Sequence, residues 1–502
     1  MTYPLKRVDW DPKGERNRQN RGVSKYVRIS WGEAAQIAAD ELLRMRDTYG
    51  MSAVLVESDG HGEGKHVAYK GCPNRLVGLV GPYTVQVRNM DSREGWHLGA
   101  RHVWGCEPLG EMNPSANLFP DICEHADTVL YWGCDSEVTP LGITSFLPSN
   151  LSFFFSSIGI KSVFIDPAFN YAAAVHADKW IPIRPNTDAA FQLAIAWLWL
   201  TEGTYDKDYI AKHAYGFDKF ADYVMGRENG VEKTPAWASE KCGVAEWTIK
   251  AFARQWARER TSILHGNGGG YIRGPYSSEP ARLEVMLLGM QGLGGPGVHQ
   301  AKMLEWDVCA WEPVRQVPDP ALPTPHYRSS GTYMSVYYEE KCVEPLGERR
   351  DDFWCCAEVA KKLGPDYYEK FTGNYTAEEL VKMLYDASGV GELMTWEELR
   401  ARQLVILPRK REEAILAVPP GLRVFHDAPE AYRLTTPTGL LEYSSTNIEK
   451  YLPDDPERPP VAHWIEKGVS HDERLGGERA ARYPLLMVSN HGCWRMHASA
   501  TT

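Results

Sequence analysis

Residues 162–188 read SVFIDPAFNYAAAVHADKWIPIRPNTD, and the alternation inside them decides the fold class. SVFIDP is a short run of apolar and β-branched residues stopped by Pro167, the pattern of a buried strand. KWIPI (179–183) repeats it, and RPNTD (184–188) leads into an apolar helix over 189–202. Outward from there the same beat recurs. A helix near 115–125 precedes the strand TVLYWG (128–133), and helical residues 245–259 precede the strand SILHG (262–266), with another helix at 279–292. Nearer the start, Ser30 and Glu33 have capping-box spacing for a helix ending at Gly50, and AVLVE (53–57) follows as a strand. Strands alternating with helices imply an α/β fold, doubly wound, with mainly parallel sheets and helices on both faces. Ligands of such sheets bind beyond the carboxyl ends of the strands. Four loops are expected there: 58–64, 133–137, 166–172 and 266–270.

Beyond about residue 300 the rhythm breaks. The stretch VRQVPDPALPTPHYRSSG (314–331) is Pro-rich and reads as a linker. Helical segments return at 352–363 and 376–403, and RLTTPTGLLEYSS (433–445) reads as a turn feeding a strand. The chain thus divides into a basic arm and first helix (1–50), an α/β region (51–300), a linker or junction (301–345), a further region (346–480) and a last segment (481–502).

Hydrophobic residues are 43% and charged residues 24%, the balance of a soluble globular protein. The net charge of -11 sets nucleic acid aside as a partner. Ten Cys occur without one C-x-x-C pair, so neither a zinc ribbon nor an iron–sulfur cradle can be read from their spacing. Unpatterned Cys suggest reduced thiols and a cytoplasmic protein. The N-terminus is polar, with no apolar core of a signal peptide, and no run is apolar for the roughly 18 residues of a membrane span.

Three strand ends carry acids: Gly133 with Asp135, then Asp166, then Thr187 with Asp188. A strand-end carboxylate can accept both hydroxyls of a ribose or the edge of a guanine. Each of these acids is equally suited to cap the next helix. In HGNGGG (265–270), Gly266 and Gly268 would let phosphates approach bare backbone N–H groups, the alternative being a plain loop. GLGGPG (292–297) fits G-x-G-x-x-G, but it follows a helix and contains Pro296, so it reads as a helix end and turn. His61 lies in a Gly-flanked loop, as an acid–base group or as a merely solvated side chain. In NMDSREGWH (89–97), Asp91-Ser92 alone signals a helix start, with a helix over 94–101 and Trp96 packing inward.

Longer segments carry a family likeness. YPLKRVDWDPKGERNRQNRG, YVRISWGEA, DSREGWHLGARHVWG, VFIDPAFNYAAAVHADKWIPI, ARQWARE, CVEPLGE and TTPTGLLEY occur in an order that resembles the bis-molybdopterin-guanine-dinucleotide enzymes of the dimethyl-sulfoxide-reductase superfamily. Within it the chain looks like the transhydroxylase and catechol-dehydroxylase branch. The resemblance implies molybdenum bis(molybdopterin guanine dinucleotide) as cofactor, Ser92 as the molybdenum ligand and Asp91 as the neighbouring acid. It places His61 against a phenolic substrate. It assigns Gly133, Asp135, Asp166, Thr187 and Asp188 to the guanosine and pyrophosphate of one cofactor arm. High-valent molybdenum is hard and favours an oxygen donor, and a bound cation holds a serine deprotonated. Sulfur ligands would come from the cofactor, with no iron–sulfur cluster in this chain and a ferredoxin-like small subunit as partner.

The chain departs from the family pattern in three places. Arg93 stands where the family has Trp. A large central portion is missing between about 300 and 340, so 346–480 reads as the remnant of a second α/β region. Residues 481–502 read as the start of a C-terminal pterin-binding barrel, leaving the four-domain fold incomplete. Two functions follow: an enzyme that transfers or removes a hydroxyl on a polyhydroxylated aromatic, or a non-catalytic remnant or plain nucleotide-binding α/β module.

Overall fold

A computed structural model describes residues 2–56, 71–85, 94–105, 118–138, 147–265, 269–271, 274–303, 335–338, 340, 344–408, 417–466 and 481–485. They fall into two compact units, one from Met1–Asn89 and Ser335–Leu407, the other from Met90–Ala310 and Pro408–Thr502.

The first unit is mainly helical. The strands Leu5–Arg7 and Tyr26–Arg28 pair antiparallel and lead into the helix Trp31–Tyr49. Ser30 Oγ caps that helix by accepting from the Glu33 N–H, but the Glu33 carboxylate turns to Lys6 at 3.0 Å instead of completing the box. Gly50, at φ 79°, ends it as the sequence predicts. The run 53–57 shortens to a two-residue strand, Leu55–Val56, which pairs parallel with Thr84–Val85. The helix Asp352–Leu363 is capped by Asp351, and its Trp354 ring meets Trp31 edge-on at 5.5 Å. The single helical segment at 376–403 is two helices, because Gly389 at φ 79° breaks it. Each half opens with a complete capping box, Thr376 with Glu379 and Thr395 with Glu398.

The second unit holds the parallel sheet. Its strands are β1 (Thr128–Trp132), β2 (Lys161–Ile165), β3 (Lys179–Ile181), β4 (Thr261–His265) and β5 (Gln300–Lys302). They lie in the order β5-β4-β1-β2-β3, all parallel, with Leu130 between Val163 and Ile263. Around them run α1 (Glu94–Trp104), α2 (Leu118–His125), α3 (Leu147–Ser157), α4 (Tyr171–His176), α5 (Asp188–Glu202), α6 (Glu246–Trp256) and α7 (Ser278–Met290). Side-chain alternation on β1 shows both faces covered. Tyr131 stacks on Phe164 at 4.3 Å and donates to Ser152 of α3, while Trp132 packs on Phe191 of α5 and Trp256 of α6. This is the doubly wound arrangement that the strand–helix alternation predicts.

Chain direction across the sheet reverses once. From β1 it steps to β2 and β3, then returns to β4 on the other side of β1. The crevice between the carboxyl ends of β1 and β4 is therefore the topological switch point, where doubly wound sheets take their ligands. The strand before loop 58–64 is a correction to the expected edge. Leu55–Val56 pairs in the first unit and not with this sheet, since a short apolar run does not encode which strand it joins.

Helix α1 continues from the NMDSREGWH stretch, and two glycines set its place. A Cβ on Gly95 would stand 2.2 Å from the Tyr271 carbonyl, and one on Gly99 would stand 2.4 Å from the Ser278 carbonyl of α7. Only hydrogen side chains four residues apart let these backbones touch. Trp96 lies fully buried between them in sequence, as the sequence predicts. The turn Gly292–Gly297 is a helix end: Gly292, Gly294 and Gly297 all have positive φ, and the Gly297 N–H donates to buried Asp121 at 2.8 Å. Downstream, the strand Leu441–Glu442 pairs parallel with Ala214–Tyr215, and Tyr443 donates to the Met286 carbonyl of α7 at 2.6 Å.

Candidate functional site

The candidate site is the carboxyl edge of the five-stranded sheet. Gly133 follows β1 at φ 57°, a left-handed conformation that glycine adopts without strain, and its N–H donates to the Ile165 carbonyl at 2.8 Å. Gly270, after β4, faces it: a Cβ on Gly270 would lie 3.8 Å from the Gly133 Cα. Two bare backbones thus border the switch point and pass close to one another there. Glycine at such an edge leaves backbone N–H groups uncovered by a side chain, as phosphate sites require.

The three strand-end acids are brought to this edge but used differently. Asp135 spends its carboxylate on backbone. Its Oδ1 accepts from the N–H groups of Glu137 (3.0 Å), Val138 (3.2 Å) and Ala172 (3.2 Å), and its Oδ2 accepts from Tyr171 at 3.2 Å. Asp188 is buried, and its Oδ1 accepts from Trp132 Nε1 at 2.8 Å. Thr187 makes no side-chain cap and donates to the Arg184 carbonyl at 2.6 Å. Asp166 is held by fewer donors than Asp135. It accepts from the Ala168 N–H at 2.8 Å and from Asn170 Nδ2 at 3.2 Å, one donor per oxygen. Burial lifts its carboxyl above the usual range, and the neighbouring Asp135 charge adds to this.

Asn170 is a member of the site that the sequence reading missed. Its Oδ1 caps α4 by accepting from Ala173 at 2.8 Å, while its Nδ2 reaches Asp166 and the Cys134 carbonyl. Asn just before the run YAAAVH was the signal that could have found it. A second missed group is His265 at the end of β4. Its Nε2 lies 2.8 and 3.0 Å from the two oxygens of Glu284, and Gln300 Nε2 donates to the same carboxylate. Both His265 and Glu284 are fully buried, and the His265 ring lies 4.8 Å from that of Trp96 on α1.

His61, Asp91, Ser92, Gly266 and Gly268 lie outside the described residues. Among the described residues no group of three or more His, Cys, Asp or Glu could hold a metal ion. The six described cysteines are free thiols, and no described helix is long and apolar enough to cross a membrane.

Comparison with known proteins gives the following. The sequence matches the family described as molybdopterin oxidoreductase over residues 1–299. The large subunit of pyrogallol hydroxytransferase from Pelobacter acidigallici is 41% identical over 312 residues, 59% of this chain and 35% of that protein. Dimethyl sulfoxide/trimethylamine N-oxide reductase from Rhodobacter capsulatus is 26% identical over 617 residues, covering 99% of this chain and 72% of the reductase. That alignment is longer than the chain's own 502 residues, so the reductase carries internal segments that this chain lacks. The solved structure of acetylene hydratase from Pelobacter acetylenicus superposes with a TM-score of 0.51 at 16% identity, covering 97% of this chain and 74% of the hydratase. That likeness concerns the fold. The match to the pyrogallol enzyme spans about a third of that relative's length.

Proposed function

Because the chain belongs to the molybdopterin oxidoreductase family, we propose that it holds molybdenum bis(molybdopterin guanine dinucleotide) along the carboxyl edge of its sheet. We propose further that it acts on ring hydroxyls of a polyhydroxylated aromatic, as a transhydroxylase or dehydroxylase. The substrate class rests on the 41% identity to a protein named pyrogallol hydroxytransferase. The cofactor form rests on one observation: Gly133, Asp135 and Asp166 stand on adjacent strand ends beside the switch point, with Gly270 opposite.

In this reading Gly133 and Gly270 leave backbone open to the phosphates, and Asp166 accepts the hydroxyls of the ribose. Asp135 and Asn170 act by positioning, since they hold the loop after β1 against the start of α4. Ser92 supplies the oxygen ligand to the metal. His61 and Asp91 move protons on the ring hydroxyl, help worth roughly a hundred- to ten-thousand-fold. When bound, the molybdenum cofactor supplies a Lewis acid that polarises an oxygen. A ferredoxin-like small subunit belongs to the same reading, because the relative is a large subunit, and so does a cytoplasmic location.

Metal and nucleotide analysis of the purified protein tests the assignment. Molybdenum with guanine and pterin in the ratio of a bis-pterin cofactor supports it. The missing internal segments favour a second reading, a fold that keeps the nucleotide edge without turnover. Guanine nucleotide without molybdenum would select that reading, and neither would overturn both.

Asp166→Asn is expected to weaken binding of GDP to the cofactor-free protein by about 10- to 100-fold, the worth of a hydrogen bond to a charged acceptor. The wild-type affinity should fall as pH drops through the raised Asp166 range, where the acceptor is protonated, while the variant's stays flat. Folding changes the opposite way. A raised carboxyl is disfavoured when ionised, so the stability it withholds is missing above its unfolded value and restored as pH falls through its folded one. The Asn variant should therefore be no less stable than wild type at pH 7, which separates lost binding from lost folding. Equal GDP affinity in both proteins would remove Asp166 from the site.

A further inference from the structure

The first 29 residues carry eight Lys and Arg against three Asp and Glu, in a chain whose net charge is -11. Nothing in the proposed function uses this basic arm. In the first unit it borders a half-open cleft of about 580 Å³ against the helix Trp31–Tyr49, within the size range of small-molecule sites. Lys6, Arg7, Arg16, Arg18, Arg21 and Arg44 line it, against a single carboxylate, Glu41. Leu5, Ile29, Ala34 and Ile37 supply apolar floor, and Trp10 and Tyr26 supply flat walls.

Only part of this positive charge is neutralised from within. Arg16 takes Glu41 in a two-pronged pair at 2.8 and 2.5 Å, and Arg44 joins the same carboxylate at 2.9 Å. The Arg16 contact, with Arg44 behind it, holds the Glu41 carboxyl at about 2. Lys6 pairs with Glu33 at the rim. Arg7 donates instead to two carbonyls, of Asn17 at 2.9 Å and Arg16 at 2.5 Å, and its charge is offset only from a distance, by Asp9. Arg18 and Arg21 have no ion pair among the described residues.

The loop presenting them is built rather than loose. Asn17 sits at φ 40°, in the left-handed region, directly before the turn Arg18–Asn20. Asp9 ties that turn down: its carboxylate accepts from Asn20 Nδ2 at 2.7 Å and from Ser24 Oγ, and its carbonyl accepts from Asn17 Nδ2 at 2.6 Å. Like charges held together by fixed backbone repel one another, and an anion in the cleft relieves that repulsion. Guanidinium forks suit carboxylate and phosphate oxygens, and an aromatic body suits Trp10 and Tyr26.

We propose that this cleft binds a small ligand with two or more negative charges on a flat apolar body, either an aryl polycarboxylate or a nucleotide phosphate. Calorimetric titration of the full chain with naphthalene-2,6-dicarboxylate and with ADP tests it, and the tighter probe identifies the source of the anion. At least one probe should bind, weaken with added salt, and lose at least tenfold in affinity in the Arg18→Gln/Arg21→Gln variant. The Arg18→Lys/Arg21→Lys variant should recover most of that loss. Repeating the titration in Asp166→Ala protein keeps this cleft apart from the strand-end nucleotide site, and the cleft affinity should not change there. Failure of both probes at millimolar concentration, or an affinity indifferent to the Gln substitutions, would overturn the proposal.

Discussion

Ser92→Ala is expected to strip molybdenum from the purified protein and to lower turnover of a polyhydroxylated aromatic by at least about a hundredfold. Even groups outside the direct ligand set are worth ~10–100-fold in metal affinity or activity, and a direct ligand should exceed them. The companion variant His61→Ala should keep its molybdenum and lose about a hundred- to ten-thousand-fold in turnover, the range of general acid–base help. Metal content measured beside activity separates the two roles. Full metal and full activity in Ser92→Ala would end the ligand assignment, and unchanged turnover in His61→Ala would return that residue to a structural part. The fold supplies the reason a small change here should matter. Ser92 precedes α1 by two residues in sequence, and the α1 backbone is pressed against the Tyr271 carbonyl at Gly95 and against α7 at Gly99, so α1 cannot shift to compensate.

The largest loss of stability is expected at α7. Arg282 and Glu279 are each only 1% exposed, and the guanidinium donates to Glu279 Oε1 at 3.1 Å and to the carbonyls of Pro459, at 2.8 Å, and Pro460. Glu279 Oε2 accepts from the His463 N–H at 2.7 Å. One buried pair therefore ties residues 459–463 to the helix that also carries α1. Arg282→Met leaves a carboxylate buried without its counter-charge and should destabilise the protein by about 3–5 kcal/mol. The double variant Glu279→Gln/Arg282→Met should recover a large part of that loss, because no unpaired charge remains. Urea-unfolding midpoints measure both. A single variant as stable as wild type would show that the pair is solvated in solution and holds nothing.

Much of the architecture was legible from short-range pattern. The run 162–188 yields β2, β3 and the start of α5, because β-branched runs, Pro167 and cap residues act through neighbours a few positions away, while the short helix α4 between the two strands was not expected. The helix ends at Gly50 and at the GLGGPG turn were legible for the same reason: a left-handed residue after a helix is a local requirement. The split of 376–403 at Gly389 was equally local but was passed over, since a helical reading tolerates one glycine.

Acidic strand ends show where local reading stops. Asp135, Asp166 and Asp188 look alike in sequence, each an acid just beyond an apolar run. Packing distinguishes them: four backbone N–H groups claim the first, a tryptophan N–H takes an oxygen of the buried third, and the second carries one donor on each oxygen. His265 and Glu284 are 19 residues apart and meet only because β4 runs under α7.

By itself the amino-acid order determined the α/β class, the positions of most helices and strands, and the candidate residues at the strand ends. Tertiary structure decided the strand order β5-β4-β1-β2-β3, the switch point between Gly133 and Gly270, and the exclusion of Leu55–Val56 from that sheet. The division follows from the forces. Dihedral preference and capping act over a few residues and are written in adjacent letters, whereas strand pairing and the filling of a carboxylate's lone pairs depend on groups that only folding brings together.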